Sequence, residues 1–339
     1  MPAVVDFATL PQLQFALESR FPEQDQPVLS YKDTETKQWV DLNWNQLGHR
    51  IRSMAAFLHN QGVRTGDRVA ILSENRPEWT ITDMATQLIG AINVSLYNSL
   101  PSDQVAYILS DSGSKVLIAS TGIQFKKAVD VFERCPALTR VVSMSPVKDL
   151  YNKWAVSWQS ALDQGAEALP GLQDLIEATA SGVRPGDVAA LIYTSGTTGT
   201  PKGAIITHEN FCSNAKAALE LVPFSADDHH LSFLPLCHVF ERTAGYTAVL
   251  AAGGRISYAE SINTINRDLA ELGPTVLITV PRLFERIYNL FWNRYLDDQP
   301  HSIDGAILRR KGASDLDQGP LAVIEAQVLC HLLRRDDRG

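Results

Sequence analysis

The chain has 339 residues, 45% apolar and 20% charged, with a formal net charge of −8. That composition gives a globular protein enough surface to bury in one large or two ordinary domains, and the acidic balance argues against non-specific nucleic-acid binding. No apolar stretch approaches bilayer-spanning length; residues 244–254 are too few and include glycines.

The start, Met1-Pro2-Ala3-Val4-Val5-Asp6, lacks the basic residues and long apolar run of a secretory signal. Cys135, Cys212, Cys237 and Cys330 show no CxxC spacing, so free thiols in a reducing cytoplasm are expected. Strand-like and helix-like segments then alternate. Leu47, Ile51, Met54, Ala55 and Leu58 recur at helical spacing, and Gly62 ends that helix. After Thr65-Gly66-Asp67, residues 68–72 read as a strand, and Pro77 suits the first turn of a helix running toward Gln87. Residues 91–96 are strand-like, and Pro101-Ser102-Asp103 predicts the next helix with Ser102 as its cap. Residues 115–119 and 141–144 are further short apolar runs. Between 150 and 181 the breakers Gly165, Pro170 and Gly171 predict a mixed helical excursion before residues 188–193 rejoin the sheet. A helix from about Glu209, a strand near 231–234 and a helix after Val239 follow, then elements over 261–272, 276–280 and 282–295. The alternation predicts an α/β fold with largely parallel sheets and flanking helices. From about Gln299 breakers become frequent and basic clusters appear, Arg309-Arg310-Lys311 and Arg334-Arg335. Residues 321–333 predict one amphipathic helix, no further strands are expected, and 299–339 read as a poorly packed tail.

Eleven residues carry the chemistry: Tyr193-Thr194-Ser195-Gly196-Thr197-Thr198-Gly199-Thr200-Pro201-Lys202-Gly203. Leu191-Ile192-Tyr193 reads as the end of a buried strand and Ala204-Ile205-Ile206 as the start of the next. A loop of small hydroxylated residues between two strands can bring backbone N–H groups, hydroxyls and one ammonium against polyanionic oxygens. Bulky side chains there would hold a phosphate away. The reading is a polyphosphate cradle; the plain alternative is a Gly/Ser/Thr-rich surface hairpin that binds nothing. The ordered length of the pattern, with Lys202 fixed behind Pro201, favours the cradle. The common nucleotide-triphosphate loop does not fit. Counted from Gly196, it needs glycine where Pro201 stands and Ser or Thr where Gly203 stands. It also leads into a helix, whereas this loop leads into a strand.

Other polar clusters carry less. His208-Glu209 begins like a zinc-peptidase motif, but Cys212 occupies the second histidine position. Asp227-Asp228-His229-His230 suits either a metal or, better, a solvated turn before a strand. Cys237 beside His238 suggests a thiol nucleophile, yet adjacent residues on a helix or strand rarely face each other.

The loop and its neighbours resemble the adenylate-forming (AMP-binding) enzymes, and among them the long-chain fatty acid–CoA ligases, or acyl-CoA synthetases, over about residues 40–295. The resemblance includes Gly62-Val63-Arg64-Thr65-Gly66-Asp67-Arg68-Val69, Ser73-Glu74-Asn75-Arg76-Pro77-Glu78-Trp79 and Thr207-His208-Glu209-Asn210. It continues through Leu234-Pro235-Leu236-Cys237-His238-Val239-Phe240-Glu241-Arg242 to Val280-Pro281-Arg282-Leu283-Phe284-Glu285-Arg286-Ile287-Tyr288. It implies that residues 1–298 are a partial N-terminal AMP-binding domain of αβαβα type. It also implies a two-step reaction: a fatty carboxylate attacks the α-phosphate of Mg-ATP, and coenzyme A thiolate then displaces AMP. In that scheme Thr194, Ser195, Gly196, Thr197 and Thr198 hold the β- and γ-phosphates, while Gly196 and Gly199 let the loop move. Thr194 is the implied Mg2+ contact, Lys202 adds a charge-assisted bond, and His238 stands near the carboxylate end of the acyl site. Ala244, Gly245, Ala248 and Ala251 would line an acyl tunnel, although core packing explains them equally well.

The resemblance further implies fatty acid, ATP and coenzyme A as partners. With the cysteine and charge readings above, the expectation is a cytoplasmic protein without nucleic acid, and a membrane surface, where family members often work, is a candidate peripheral contact although no amphipathic anchor is evident. Family members run to nearly twice this length and continue with a Tyr-Gly-x-Thr-Glu-type motif, a ribose-binding aspartate and a small domain bearing a catalytic lysine. No Tyr-Gly pair occurs in this chain. A truncated ligase is therefore expected, with a separately encoded C-terminal half as a candidate partner. The alternatives are a non-catalytic nucleotide- or acyl-binding fragment and a non-functional remnant.

Overall fold

The computed structural model describes residues 5–21, 26–147, 152–194, 200–222, 224–280, 306–309 and 325–328. In chain order these form α1 (Leu10–Arg20), β1 (Leu29–Lys32), β2 (Trp39–Leu42), α2 (Trp44–Asn60), β3 (Arg68–Leu72), α3 (Pro77–Leu88) and β4 (Ile92–Leu96). Next come α4 (Ser102–Ser112), β5 (Ser114–Ala119), α5 (Gly122–Val131), β6 (Arg140–Ser143), β7 (Ala155–Ser157) and α6 (Trp158–Ser181). Strands β8 (Val188–Thr194) and β9 (Lys202–Thr207) precede α7 (His208–Leu221) and β10 (His229–Ser232). A π-helical stretch, Glu241–Ala248, runs into α8 (Val249–Ala251), followed by β11 (Arg255–Tyr258), α9 (Ile265–Leu272), β12 (Val276–Thr279), β13 (Ala306–Arg309) and β14 (Glu325–Val328).

Alternation within the strands dictates layering. In β3, Val69 and Ile71 enter one core cluster while Ala70 and Leu72 enter another. In β5, Val116 and Ile118 part from Leu117 and Ala119 in the same way. A strand buried on both faces belongs in the middle of a mostly parallel sheet covered by helices. That sheet has the order β7-β6-β5-β3-β4-β8-β9 and is parallel except for the β8–β9 pair. A second sheet, β14-β13-β12-β10-β11-β1-β2, is parallel through β12, β10, β11 and β1 and antiparallel at its margins. The larger core cluster joins α1, α2, α3, α6, α7 and the π-helical stretch between the sheets. Helices α4 and α5 cover the far face of the first sheet, and α9 that of the second. Five layers result.

Helix α3 is buried on every side, as a helix between two sheets must be. Its Asp83 meets Arg242 of the π-helical stretch at 2.6 Å, and both side chains are 1% exposed. The guanidinium lies over the rings of Phe211 (4.6 Å) and Trp79 (5.5 Å) and reaches Asn93 of β4 at 3.5 Å. Thr80 of α3 also bonds the Tyr258 hydroxyl of β11 at 2.6 Å. One helix thereby fastens both sheets.

Several elements differ from the sequence expectation. Pro101, not Ser102, precedes the first turn of α4, and no side chain caps that helix. The segment read as a broken excursion is one 24-residue helix, α6. One of its breakers has a packing role: a Cβ on Gly165 would lie 1.8 Å from the Ser53 carbonyl of α2, so this glycine sets how closely the two helices meet, whereas Pro170 and Gly171 are exposed within the helix. The tail holds strands where none were expected. β13 and β14 pair antiparallel outward from β12, taking up backbone groups that a bare sheet margin would leave unpaired. Residues 325–328, inside the expected helix, are strand. The element expected over 282–295 lies outside the described residues.

Asp83→Ala is expected to cost about 3–5 kcal/mol in urea unfolding, because it leaves the Arg242 charge buried without its partner. Arg134→Ala, which breaks an exposed pair with Asp103, should leave the urea midpoint near the wild-type value.

Candidate functional site

The polyphosphate motif sits on a hairpin. β8 and β9 run antiparallel with Thr194 opposite Lys202 as their last pair. Two contacts hold the hairpin in place. The Tyr193 ring lies across Gly203, where an added Cβ would come within 3.1 Å of Cζ, so the glycine makes room for the ring. The Tyr193 hydroxyl donates to Asp111 Oδ2 of α4 at 2.6 Å, and burial together with that carboxylate holds the phenol well above its usual pKa. Thr194, Thr200 and Lys202 have exposed side chains, and among the described residues Lys202 has no ion-pair partner. Ser195, Gly196, Thr197, Thr198 and Gly199 lie outside the described residues. Thr207-His208-Glu209-Asn210 is a helix cap: the Thr207 hydroxyl accepts from Asn210 N at 3.2 Å and Asn210 Oδ1 accepts from Thr207 N at 3.0 Å.

The hairpin loop leaves the carboxyl end of its sheet. The winding direction of the chain reverses between β3 and β4, beside β8, and in open sheets of this kind ligands bind outside the carboxyl ends of the strands at such a point. Across two strand spacings, β3 and β8 are about 10 Å apart. The residues following β3 line this edge. Glu74 accepts from Ser120 and from Asn98 Nδ2 at 3.1 Å, and Arg76 pairs with Glu78 at 2.8 Å. Burial pushes the Glu74 carboxyl up, but its hydrogen bonds from Ser120, Asn98 and Gln124 outweigh that and leave it below the usual value.

His238 lies in the turn after β10, in the second sheet. Its backbone N–H donates to the Pro235 carbonyl at 2.9 Å, and its carbonyl accepts from Arg242 N at 3.1 Å. Its Nδ1 accepts from Phe240 N at 3.2 Å. With Nδ1 an acceptor, the neutral ring carries its proton on Nε2, where it can be donated outward. Partial burial lowers the pKa of His238 and Glu241 works against that shift, so the ring is neutral at pH 7. Asn75, which follows β3, bonds Ser232, Leu234 and Leu236 and so brings this turn to the edge where the hairpin loop emerges. Thr194 and Lys202 are paired directly; among the described residues, Asn75 links the turn bearing His238 to the first sheet. Asn75, Asp83, Glu241 and Arg242 were given no role from sequence, although a glutamate and arginine inside an apolar helix-forming run was the signal to look for their partners.

The remaining candidates resolve into structure. Asp228 accepts from Ser225 N at 2.8 Å and Thr275 Oγ1 at 2.9 Å, closing the turn into β10. Cys237 is buried, and burial pushes its thiol up to about 12, so it is no thiolate. Ala244, Gly245, Ala248 and Ala251 are packed in the interior. At Gly245 an added Cβ would lie 2.6 Å from the Glu241 carboxylate carbon, which explains the missing side chain.

Comparison with known proteins places these features in a family. Residues 19–318 match the model of the AMP-binding enzyme family. The long-chain-fatty-acid–CoA ligase FadD15 of Mycobacterium bovis is 35% identical over 272 residues, covering 79% of this chain and 43% of that protein. Mouse long-chain-fatty-acid–CoA ligase 5 is 31% identical and covers 79% of this chain and 40% of its own length. The chain thus spans about two-fifths of the curated relatives it matches. In solved structures, the adenylation domain of a carboxylate reductase from Mycobacterium chelonae aligns with a TM-score of 0.65 at 24% identity, covering 86% of this chain and 49% of the other. An anthranilate–CoA ligase in complex with anthranoyl-AMP aligns with a TM-score of 0.67 at 18% identity, covering 83% and 51%. The five-layer architecture is that of the N-terminal domain of adenylate-forming enzymes.

Two histidines, one buried and one partly buried, make stability depend on pH. Burial drives His208 down to about 4, and its Nδ1 accepts from Leu10 N at 3.3 Å. Burial, with Arg255 and His230, drives His229 to about 4 as well. Between pH 6.5 and 4 the unfolded chain therefore binds more protons than the folded one, and stability falls on acidification. The expected loss at pH 5 relative to pH 7.5 is about 2 kcal/mol per histidine, read from urea midpoints. His208→Asn should flatten the profile by about half.

Proposed function

This chain belongs to the AMP-binding enzyme family, and on that premise we propose that it activates long-chain fatty acids with ATP and transfers the acyl group to coenzyme A. A carboxylate is a poor acyl donor. Attack of its oxygen on the α-phosphorus expels pyrophosphate and leaves a mixed anhydride; the coenzyme A thiolate then attacks the carbonyl carbon and AMP departs. Catalysis of the first step is mainly positioning and charge neutralisation.

The observation that supports this reading most is the hairpin β8–β9, which ends with Thr194 and Lys202 paired and exposed, while Asn75 after β3 of the same sheet ties in the turn that bears His238. In the proposed scheme Thr194, Ser195, Gly196, Thr197, Thr198 and Gly199 cradle the outer phosphates and Lys202 adds a charge-assisted bond. His238 donates Nε2–H toward the fatty carboxylate, stabilising charge on its oxygen. Mg2+, when bound, screens the phosphate charge. Among the described residues no cluster of three acidic, His or Cys side chains is placed to cage a cation, so Thr194 fits as a single oxygen ligand to an ion carried by the nucleotide. Among the described residues no helix is long and apolar enough to cross a membrane; the proposed place of work is the cytoplasm, at a membrane surface where the substrate resides.

ATP–pyrophosphate exchange with palmitate tests the proposal. Lys202→Ala should weaken ATP by about 10- to 100-fold, the loss expected for one charge-assisted bond. Exchange equal to the Lys202→Ala background removes catalysis by this chain, and saturable ATP binding without exchange would leave a nucleotide-binding protein.

A further inference from the structure

Asn75 belongs to the connection after β3 in one sheet, yet all three of its side-chain hydrogen bonds go to the other. Nδ2 donates to the Leu234 carbonyl at 2.6 Å and to Ser232 Oγ at 3.0 Å, and Oδ1 accepts from Leu236 N at 2.9 Å. A carboxamide bonded to the carbonyl of one residue and the amide of the next but one does what a neighbouring strand's peptide would do. It does so just past the point where β10 ends at Ser232. The residue between the two bonded positions is Pro235, which has no N–H of its own. Leu234 O and Leu236 N are therefore the groups by which the turn can be held from outside, and Asn75 takes both.

The same turn leads straight into His238, whose N–H closes back onto Pro235 O at 2.9 Å. Behind it, Ser232 Oγ donates to Glu241 Oε1 at 2.6 Å, and His230 Nε2 meets the same oxygen at 3.1 Å. Glu241 is seated where Gly245 has no side chain. The turn is thus gripped on one side by Asn75 and on the other by Glu241 acting through Ser232, with the exposed imidazole between them.

We propose that Asn75 is a positioning residue for His238. By pairing with both ends of the Leu234–Leu236 turn it sets the direction in which Nε2–H is presented, and it keeps Nδ1 on the Phe240 amide. The inference rests on the reading of His238 as the group that meets the fatty carboxylate.

The test compares the full chain with Asn75→Ala and Asn75→Asp, each labelled with 15N-histidine, by long-range proton–nitrogen correlation; His238→Gln assigns the signal. In the wild type, His238 should be a single Nε2–H tautomer. Asn75→Ala should give mixed tautomers, and Asn75→Asp, which retains the acceptor for Leu236 N, should fall between them. In palmitate-dependent ATP–pyrophosphate exchange, Asn75→Ala should raise the palmitate KM at least tenfold and move the ATP KM by less than twofold. A His238 tautomer unchanged in both folded variants overturns the proposal, as does an equal rise in both KM values. Should Asn75→Ala fail to fold, Asn75→Asp decides; failure of both makes Asn75 a folding residue and also overturns the proposal. A wild-type chain without exchange removes the ligase reading, while the tautomer measurement still decides the role of Asn75.

Discussion

Arg242 carries a charge into the centre of the molecule, and the relation between the two sheets depends on how that charge is satisfied. Its guanidinium is sandwiched by Trp79 and Phe211 and paired with Asp83. Burial pushes the Asp83 carboxyl upward and Arg242 pulls it back, so each group keeps the other tolerable in a place where either alone would be costly. The arrangement is not saturated. Arg242 Nε, Asn93 Nδ2 and Gln87 Oε1 have no hydrogen-bond partner among the described residues. Replacing the pair with apolar residues of matching shape would cost little in principle. The pair's contribution is therefore one of register: it fixes where the π-helical stretch stands relative to α3.

That register matters because Glu241 and Arg242 are adjacent in sequence and serve different sheets. Glu241 binds Ser232 and His230 of β10, whereas Arg242 binds Asp83 of α3 and Asn93 of β4. The two bonds leave the first turn of a π-helical stretch, a local widening that is frequent at functional sites. The turn bearing His238 is the immediate N-terminal neighbour of this stretch. Any shift of one sheet against the other would strain both bonds and move His238, so core geometry and site geometry are not separable here.

Much of this was legible in the sequence, and the failures have physical causes. The 68–72 strand and the helix opened by Pro77 were readable because apolar runs and a first-turn proline are local signals, and both elements form with those starts. Helix α6 was obscured because Gly165 and Pro170 read as breakers; only the closeness of α2 shows why glycine is needed at that contact. Strands β1, β2 and β11 carry weak local patterns: β1 and β2 form a short hairpin, and β1 joins the sheet by pairing with β11 far along the chain. β13 and β14 lie in a stretch rich in breakers and form by pairing outward from β12. At the site, composition was enough to single out the hydroxylated loop and Lys202. It gave no hint that Asn75 crosses between sheets, since a single asparagine in a polar run looks like any turn residue.

The two described parts of the candidate site are supported differently. His238 sits in a turn held by Asn75 on one side and by the Ser232–Glu241 bond on the other, and its own ring is anchored through Nδ1. The hairpin is secured at its base by Tyr193 against Asp111 and Gly203, but β9 is a sheet edge on which Lys202, Ala204 and Ile205 remain exposed. In the proposed scheme the phosphate-holding segment releases pyrophosphate after the first step, a task that suits an edge hairpin anchored at its base. The acyl-carboxylate contact proposed for His238 has the opposite requirement. It gains from being set before the substrate arrives, because a donor already aimed at the developing charge needs no reorganisation during reaction. The described residues fit that division, with buried polar bonds behind His238 and an edge strand, β9, carrying Lys202.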